Sequence, residues 1–288
     1  MQKITSKDNE FIKHVKKLKD KKFRDLNNEF VIEGIKLIKE AIQENADIKH
    51  IIICEDCKET ESISKELTYT IAKYDCVYVS KPVFSSITEV TNPQGILAVV
   101  GKNVCIAQNK LDIINNSIDE KQDKKSKNNI DKEIDYSQDI IVALDDLQDP
   151  GNLGTILRTV DSIGLTQILV SKGTADCYNP KVVRSTMGAI FRVKIIECEN
   201  LLDTLKQVKK HHFKVMVTSL QTDNSIYDVD YKKKVIVVGN EANGVEREIQ
   251  DFADEKVKIP MLGKTESLNA SVATGIVLYE YVRRVFKK

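Results

Sequence analysis

The stretch DDLQDPGNLGTILRTV, Asp145 to Val160, decides how the C-terminal half of the chain is read. It follows the apolar run IIVAL (140–144), which has the look of a buried strand. Three acids, a proline, two glycines and an asparagine crowd its first ten residues, and a helix starts among them. Asn152 is a good capping residue. From there Leu153, Ile156, Leu157, Val160 and then Ile163 form one apolar stripe. Arg158 falls roughly opposite that stripe, on the open side of the helix. If the strand belongs to a parallel sheet, the helix begins at the sheet's C-terminal edge, where ligands collect in such folds. The plain alternative is a surface arginine on an amphipathic helix. Asp145, Asp146 and Asp149 raise the question of a cation site, but turn formation and capping account for acids at these positions.

Working outward, the runs DIIVAL, QILVS, FRVKII, KVMVTSL, KVIVVGN and VKIPM recur between helical patterns across residues 139–288. Continuous Val/Ile strands with intervening helices predict a parallel sheet covered on both faces. The chain ends in a long helical pattern, SLNASVATGIVLYEYVRRVF. There Leu268, Val272, Ile276 and Tyr279 share a face, which packs either into the core or against a second subunit. Ser267 or Glu266 is placed to cap this helix, and Met261 and Leu262 put apolar surface on the loop before it. Residues 1–102 also alternate strands and helices (EFVIEGIKLIKEAIQE, IKHIIIC, CVYVS, GILAVV) and form a first α/β unit. Residues 103–138 are rich in Lys, Asn and Asp and read as a polar, flexible linker.

At 288 residues, with 41% apolar content, two domains are expected. The net charge of +1 names no partner, but residues 1–24 hold nine Lys/Arg against three acids. That basic segment suits a polyanion such as RNA, or is simply a solvated lysine-rich helix. No apolar run is long enough to span a bilayer and no signal-peptide pattern is evident, so a cytoplasmic protein without a membrane partner is expected. The lone CxxC at Cys54 and Cys57 lacks a second pair, and reduced, partly buried thiols are expected there. There is no GxGxxG or GxxxxGK[ST] loop, which removes the mechanism for dinucleotide or P-loop binding.

Two further clusters follow the opening one. KVIVVGNEANGVERE delivers Gly239-Asn240-Glu241 from a strand into a turn. VKIPMLGKTESLNASVATGIVLYE breaks at Pro260 and enters the last helix. In order, DPGNLGTILRT, VVGNEANGVE and IPMLGKTESLNASVATGIVLYE resemble the three motifs of the SpoU (TrmH) family of the SPOUT superfamily. The resemblance covers residues 139–286. EFVIEGIKLIKEAI and NPQGILAVV are similar to the L30e-like substrate-binding domain often joined to that catalytic domain.

The resemblance implies a SPOUT-type α/β domain with a C-terminal trefoil knot. It also implies an S-adenosylmethionine-dependent RNA ribose 2′-O-methyltransferase, with ribosomal RNA, 23S rRNA above all, as substrate and a homodimer formed through the C-terminal domain. The same carry-over puts the cofactor against three loops: Thr218, Ser219 and Leu220; Gly239, Asn240 and Glu241; and Ile259, Pro260, Met261 and Leu268. Arg158 matches the family's catalytic arginine, with Asn152, Glu241, Ser267 and Asn269 orienting it and the ribose; no metal is implied. Glu241 is the less favoured direct base. Lys181, Arg184 and Arg192 either contact RNA phosphate or form structural ion pairs. The alternatives are a tRNA 2′-O-methyltransferase and a noncatalytic RNA-binding or ribosome-assembly factor that keeps the fold.

Overall fold

A computed structural model describes residues 3–57, 65–102 and 130–286. These form two compact units. One comprises the residues up to 102 together with Tyr178–Arg192; the other comprises 130–177 and 193–286.

In the first unit the elements run α1 (Glu10–Lys17), α2 (Lys21–Asn27), β1 (Glu29–Glu33), α3 (Ile35–Gln43), β2 (Ile48–Cys54), α4 (Lys65–Ile71), β3 (Cys76–Val79), α5 (Lys81–Ile87) and β4 (Ile96–Gly101). The four strands form a mixed sheet ordered β1-β4-β2-β3. β4 runs antiparallel to both neighbours and β3 parallel to β2. Asn9 caps α1 by accepting from the Phe11 amide at 2.9 Å. The buried stripe of that helix is Ile12, Val15 and, just past its end, Leu18. They share a core with Phe84, Val99 and Leu97.

The CxxC departs from expectation: Cys54 and Cys57 are disulfide-bonded, while Cys76, Cys177 and Cys198 are in no disulfide. Cys54 ends β2, and the turn through Glu55 and Asp56 brings the two Cα atoms to 5.5 Å. That separation lies in the range a disulfide requires.

From residue 140 the elements are β5 (Ile140–Leu144), α6 (Pro150–Ser162), β6 (Gln167–Ser171), α7 (Pro180–Thr186), β7 (Lys194–Cys198), α8 (Leu201–Lys210), β8 (Lys214–Thr218), β9 (Lys234–Val238), α9 (Arg247–Phe252), β10 (Glu255–Val257) and α10 (Ala270–Phe286). All six of these strands are parallel, in the order β10-β8-β9-β5-β6-β7. β5 is buried at every position, which is why it reads as an unbroken apolar run rather than an alternating one. Ile141 and Ala143 point to a core shared with Leu201, Leu205 and Val208 of α8. Their neighbours Ile140, Val142 and Leu144 are equally buried on the other face, by the two-residue period of the strand. The stripe Leu153, Ile156, Leu157 and Val160 is fully buried, and α6 packs against α10. No helix among the described residues is long and apolar enough to cross a membrane.

Three expectations shift. The strand expected in FRVKII begins only at Lys194, because Met187 and Gly188 take left-handed backbone conformations and a 3-10 turn occupies Ala189–Phe191. The strand in VKIPM stops at Val257, ahead of Pro260, which has no amide to donate. Of the segment expected as a flexible linker, 103–129 lies outside the described residues, whereas 130–138 is ordered. There Ile134 is buried in the core beneath the sheet, and the Tyr136 ring stacks on His211 with centroids 3.6 Å apart. Two isoleucines and one tyrosine are enough apolar surface to anchor this end of an otherwise polar stretch.

Candidate active site

The loops that leave β5, β8, β9 and β10 all emerge at the C-terminal edge of the parallel sheet. The first is built by its acids. Asp149 is the N-cap of α6, accepting from the Asn152 amide at 2.8 Å, and Pro150 takes the first helical position, where no amide partner is needed. Asn152 is therefore not the cap, and its side chain is left for another task. Asp145, which burial pushes above the ordinary carboxylate range, accepts from the Glu246 amide at 2.7 Å. Asp146 adopts a positive φ of 55° and accepts from the Asn240 side-chain amide at 3.2 Å and that of Gln148 at 2.8 Å. All three acids hold loops in place, as turn formers and caps.

The β9 loop is a tight turn. Asn240 and Gly244 exchange backbone hydrogen bonds of 3.0 and 2.9 Å, and the Asn240 side-chain oxygen accepts from the amides of Ala242 and Asn243. Gly239 has to be glycine: a Cβ there would lie 2.1 Å from the Gly244 carbonyl carbon. The Asn240 side chain is fully taken up in this way and by donating to the Asp146 carbonyl.

Glu241 then crosses to the β5 loop. Its carboxylate accepts from the amides of Gln148 and Asp149, both at 3.1 Å, and from the Asn152 side chain at 3.0 Å. Burial pushes its pKa up, but these hydrogen bonds outweigh burial and hold the carboxyl below its ordinary range. The Asn152 oxygen in turn accepts from the Asn269 side-chain amide at 2.9 Å. The Asn269 oxygen accepts from the Ser271 amide and hydroxyl and from the Val272 amide, so Asn269 rather than Ser267 or Glu266 caps α10. One line of side chains, Glu241–Asn152–Asn269, thus ties the β9 loop, the start of α6 and the start of α10.

Beside this line lies a cavity of about 610 Å³. Thr218, Ser219 and Leu220 line it from the β8 loop, and Gly239, Asn240 and Glu241 from the β9 loop. Ile259, Met261, Ser267, Leu268 and Asn269 line it from the segment after β10, and Pro260 sits between two of them without facing it. Leu220 and Leu268 are apolar yet exposed, at 63% and 37%. The volume falls within the usual range for small-ligand pockets. Apolar faces, backbone edges and a few polar tips are a donor set that fits a flat heterocycle carrying a polar tail. Gln221, Gln250 and Ala273 also line the cavity. Nothing in the local pattern at Gln250 and Ala273 singled them out. Gln221 follows the selected Leu220 directly and was within reach.

Arg158 is not a lining residue. It is exposed on α6 and makes no hydrogen bond or ion pair among the described residues. The helical rise places it about 9 Å along the axis from Asn152. Four of the five residues assigned to catalysis therefore meet at one place, and the fifth stands outside it. The four histidines are elsewhere: His14 faces Glu29, His50 faces Asp75, His211 faces Asp131, and His212 does not line the cavity. Arg192 pairs with Glu40 and Glu44, the structural alternative for that residue. On α10 the face expected to be core or seam is exposed at Val272 and Tyr279, so within one chain it is not core.

Comparison with known proteins bears on this arrangement. Residues 139–279 match the SpoU rRNA Methylase family, and residues 9–98 match the MRM3-like substrate binding domain. The 23S rRNA (guanosine(2553)-2′-O)-methyltransferase RlmP of Bacillus subtilis is 31% identical over 280 residues, spanning 97% of this chain and 98% of that protein. The chain belongs to the SpoU rRNA methylase family. Another relative, the 23S rRNA (guanosine-2′-O-)-methyltransferase RlmB of Xanthomonas axonopodis, is 36% identical over 146 residues, covering 50% of this chain and 59% of its own. The crystal structure of an AdoMet-bound rRNA methyltransferase from Sinorhizobium meliloti superposes with a TM-score of 0.79 at 28% identity, covering 98% of both chains. For a SpoU family member, the Glu241–Asn152–Asn269 line joins the three stretches on which the sequence resemblance rests, and two of them line the cavity.

Proposed function

We propose that this protein is an S-adenosylmethionine-dependent RNA 2′-O-ribose methyltransferase acting on 23S rRNA, working as a homodimer in the cytoplasm. The observation that carries the reading is the convergence of three sequence-distant loops on one cavity, two of them tied to the start of α6 through Glu241, Asn152 and Asn269. The full-length similarity to a protein named as a 23S rRNA 2′-O-methyltransferase and to an AdoMet-bound structure supports the substrate and the cofactor.

S-adenosylmethionine supplies, when bound, a methyl group for in-line displacement by a ribose hydroxyl. The chain's own residues then have separable tasks. The 218–220, 239–241 and 259–261 loops and Leu268 would hold the adenine, with backbone groups for its edge and apolar side chains for its ring. Glu241 is saturated by three donors and held ionised, so it orients Asn152 rather than taking a proton. No histidine among the described residues lines the cavity. Arg158 stays charged and cannot act as an ordinary base; it grips the phosphate beside the target ribose, positions the 2′-OH and stabilises developing negative charge. The proton passes to a phosphate oxygen or water. Ser267 and Asn269 help hold the ribose.

Arg158 stands clear of its own cavity while Leu268, Val272 and Tyr279 leave apolar surface open near the start and middle of α10. A second copy seated on this face brings an arginine to the cavity of its neighbour. The strand order also supports the knot: the chain passes from β9 to β10 at the far edge and must return across the β8 and β9 loops to pack α10 on α6. Mapping of ribose methylation in rRNA and tRNA with and without the protein tests the reading. Loss of one 23S rRNA methylation is expected. A tRNA site moves the substrate, and no change together with no S-adenosylmethionine binding by calorimetry leaves the noncatalytic factor.

A further inference from the structure

The first unit carries a basic corner that the cavity does not use. The sequence KKLKDKKFR, residues 16–24, holds six cations and one acid. It folds as the end of α1, a short turn, and the start of α2. Lys17, Lys19, Lys21 and Lys22 are exposed. Lys19 lies 3.8 Å from Glu89, whereas Lys17, Lys21 and Lys22 make no ion pair among the described residues.

A lysine run is ordinarily a solvated face, and two features set this one apart. The corner is rigidly framed: Arg24 is buried, and its guanidinium donates to the carbonyls of Leu18 at 2.7 Å and Lys19 at 2.5 Å. A charged side chain taken out of water fixes the turn that displays the lysines. The second feature is local cost. Lys16 and Lys17 in the last turn of α1 suit the helix dipole, but Lys21 and Lys22 occupy the first turn of α2, which contains no acid. The Asp20 side chain makes no capping hydrogen bond there. Only the Asp20 carboxylate at the N-cap offsets these two lysines, and a placement that strains a local rule points to a use.

We infer that the α1–α2 corner is a grip for the phosphate backbone of an RNA stem, made by Lys17, Lys21 and Lys22 and held in shape by Arg24. Phe23 is partly buried and lies under the Lys17 ammonium, 5.5 Å from ring centre, so the corner presents no free aromatic face for stacking a base. Its contribution is therefore charge and position, not sequence. The inference rests on the methyltransferase reading for the identity of the polyanion.

The test is binding of full-length protein to a 23S rRNA fragment across a salt series. Each phosphate contact contributes about 0.9 to the slope of log affinity against log salt on a duplex. The K17Q/K21Q/K22Q variant is expected to flatten that slope by about 2 to 3 and to weaken binding at least about tenfold at low salt. Its melting temperature and S-adenosylmethionine affinity should match the parent's. A charge-matched control, K49Q/K73Q/K81Q, should leave the slope nearly unchanged. Parental RNA affinity in the corner variant, or equal losses in the control, overturns the grip. A corner variant that loses RNA affinity in a protein whose parent transfers no methyl group keeps the grip and instead removes the proposed activity. Retained RNA binding with lost binding to an acidic protein reassigns the corner and also overturns the inference.

Discussion

The Asn152 side-chain amide donates to the Glu241 carboxylate at 3.0 Å across 89 positions of sequence. Asn152 is buried, and Glu241, more open to solvent, is simultaneously fixed by two backbone amides. Replacing Glu241 by Gln leaves a donor where an acceptor is needed, facing amide hydrogens. The expected result is S-adenosylmethionine affinity reduced about tenfold or more and a loss of stability of about 1 kcal/mol, kept small by solvent around the carboxylate. Because the folded-state pKa of Glu241 is depressed, its contribution is present above the ordinary glutamate pKa and disappears as pH falls through the lower folded value. Across the neutral range the single-turnover rate should carry no step from this group. Titration calorimetry and a pH–rate profile check both statements, and a rate rising with an apparent pKa of about 6, where a carboxyl tuned for proton abstraction titrates, would restore Glu241 as a base.

Arg158 makes no hydrogen bond or ion pair in the described chain, so its replacement should separate chemistry from folding. Arg158→Lys is expected to keep the melting temperature and cofactor affinity of the parent while single-turnover methylation drops about a hundredfold, since lysine lacks the planar fork. A rate within a few fold of the parent ends the assigned role.

Two glycines give an opposed pair. Gly239→Ala places a methyl 2.1 Å from backbone that cannot move aside, and both cofactor binding and stability should be lost. Gly275 lies inside α10, and a methyl group added there would meet nothing within 4 Å, so Gly275→Ala should raise stability by up to about 1 kcal/mol. Thermal melts and calorimetry on the two variants distinguish a close approach of backbone from an incidental glycine.

Glu280 is buried and gripped by Arg283 and Arg284, each at 2.7 Å, and the hydrogen bond from Arg283 leads in holding its pKa down to about 2. The stabilisation it gives is complete above the unfolded pKa of about 4.3 and fades as pH drops through the folded value. Glu280→Gln should cost about 1–2 kcal/mol at neutral pH, a value reduced for the partly exposed arginines. The difference from the parent should close on acidification. A gap that persists unchanged in denaturant melts taken well below the unfolded pKa contradicts the ionised pair.

The exposed face of α10 predicts the oligomeric state. Val272→Glu with Tyr279→Lys should convert a dimer into a monomer in sedimentation velocity and abolish methylation while each chain stays folded. A monomeric parent, or a variant that remains dimeric, removes this face from the account.

The parallel sheet was legible because β5, β6, β8 and β9 are buried on both faces and so have little room for polar residues. Of the three loops that line the cavity, those at 239–241 and 259–269 were legible through the order and spacing of their motifs, while 218–220 followed only from the family resemblance. Who bonds to whom was not. Asn152 and Asp149 both suit a helix cap, and proline at 150 decides for Asp149 only once the helix start is known. Asn269 took the terminal cap from Ser267 for a similar reason: capping depends on where the chain leaves the loop, which periodicity locates only to within a few residues. The disulfide escaped because a single CxxC carries no information on the turn that closes it.

Tyr178 rests against Phe30 and donates to the Lys102 carbonyl, and Arg192 reaches Glu40 and Glu44, so residues 178–192 complete the first unit although they lie between β6 and β7. Cleavage anywhere in 103–129 would therefore not release two self-sufficient halves. The C-terminal fragment would carry an unclad aromatic patch into solvent, and the N-terminal fragment would lack one wall. Transplanting either half onto a foreign partner demands that this borrowed strip travel with the proper side.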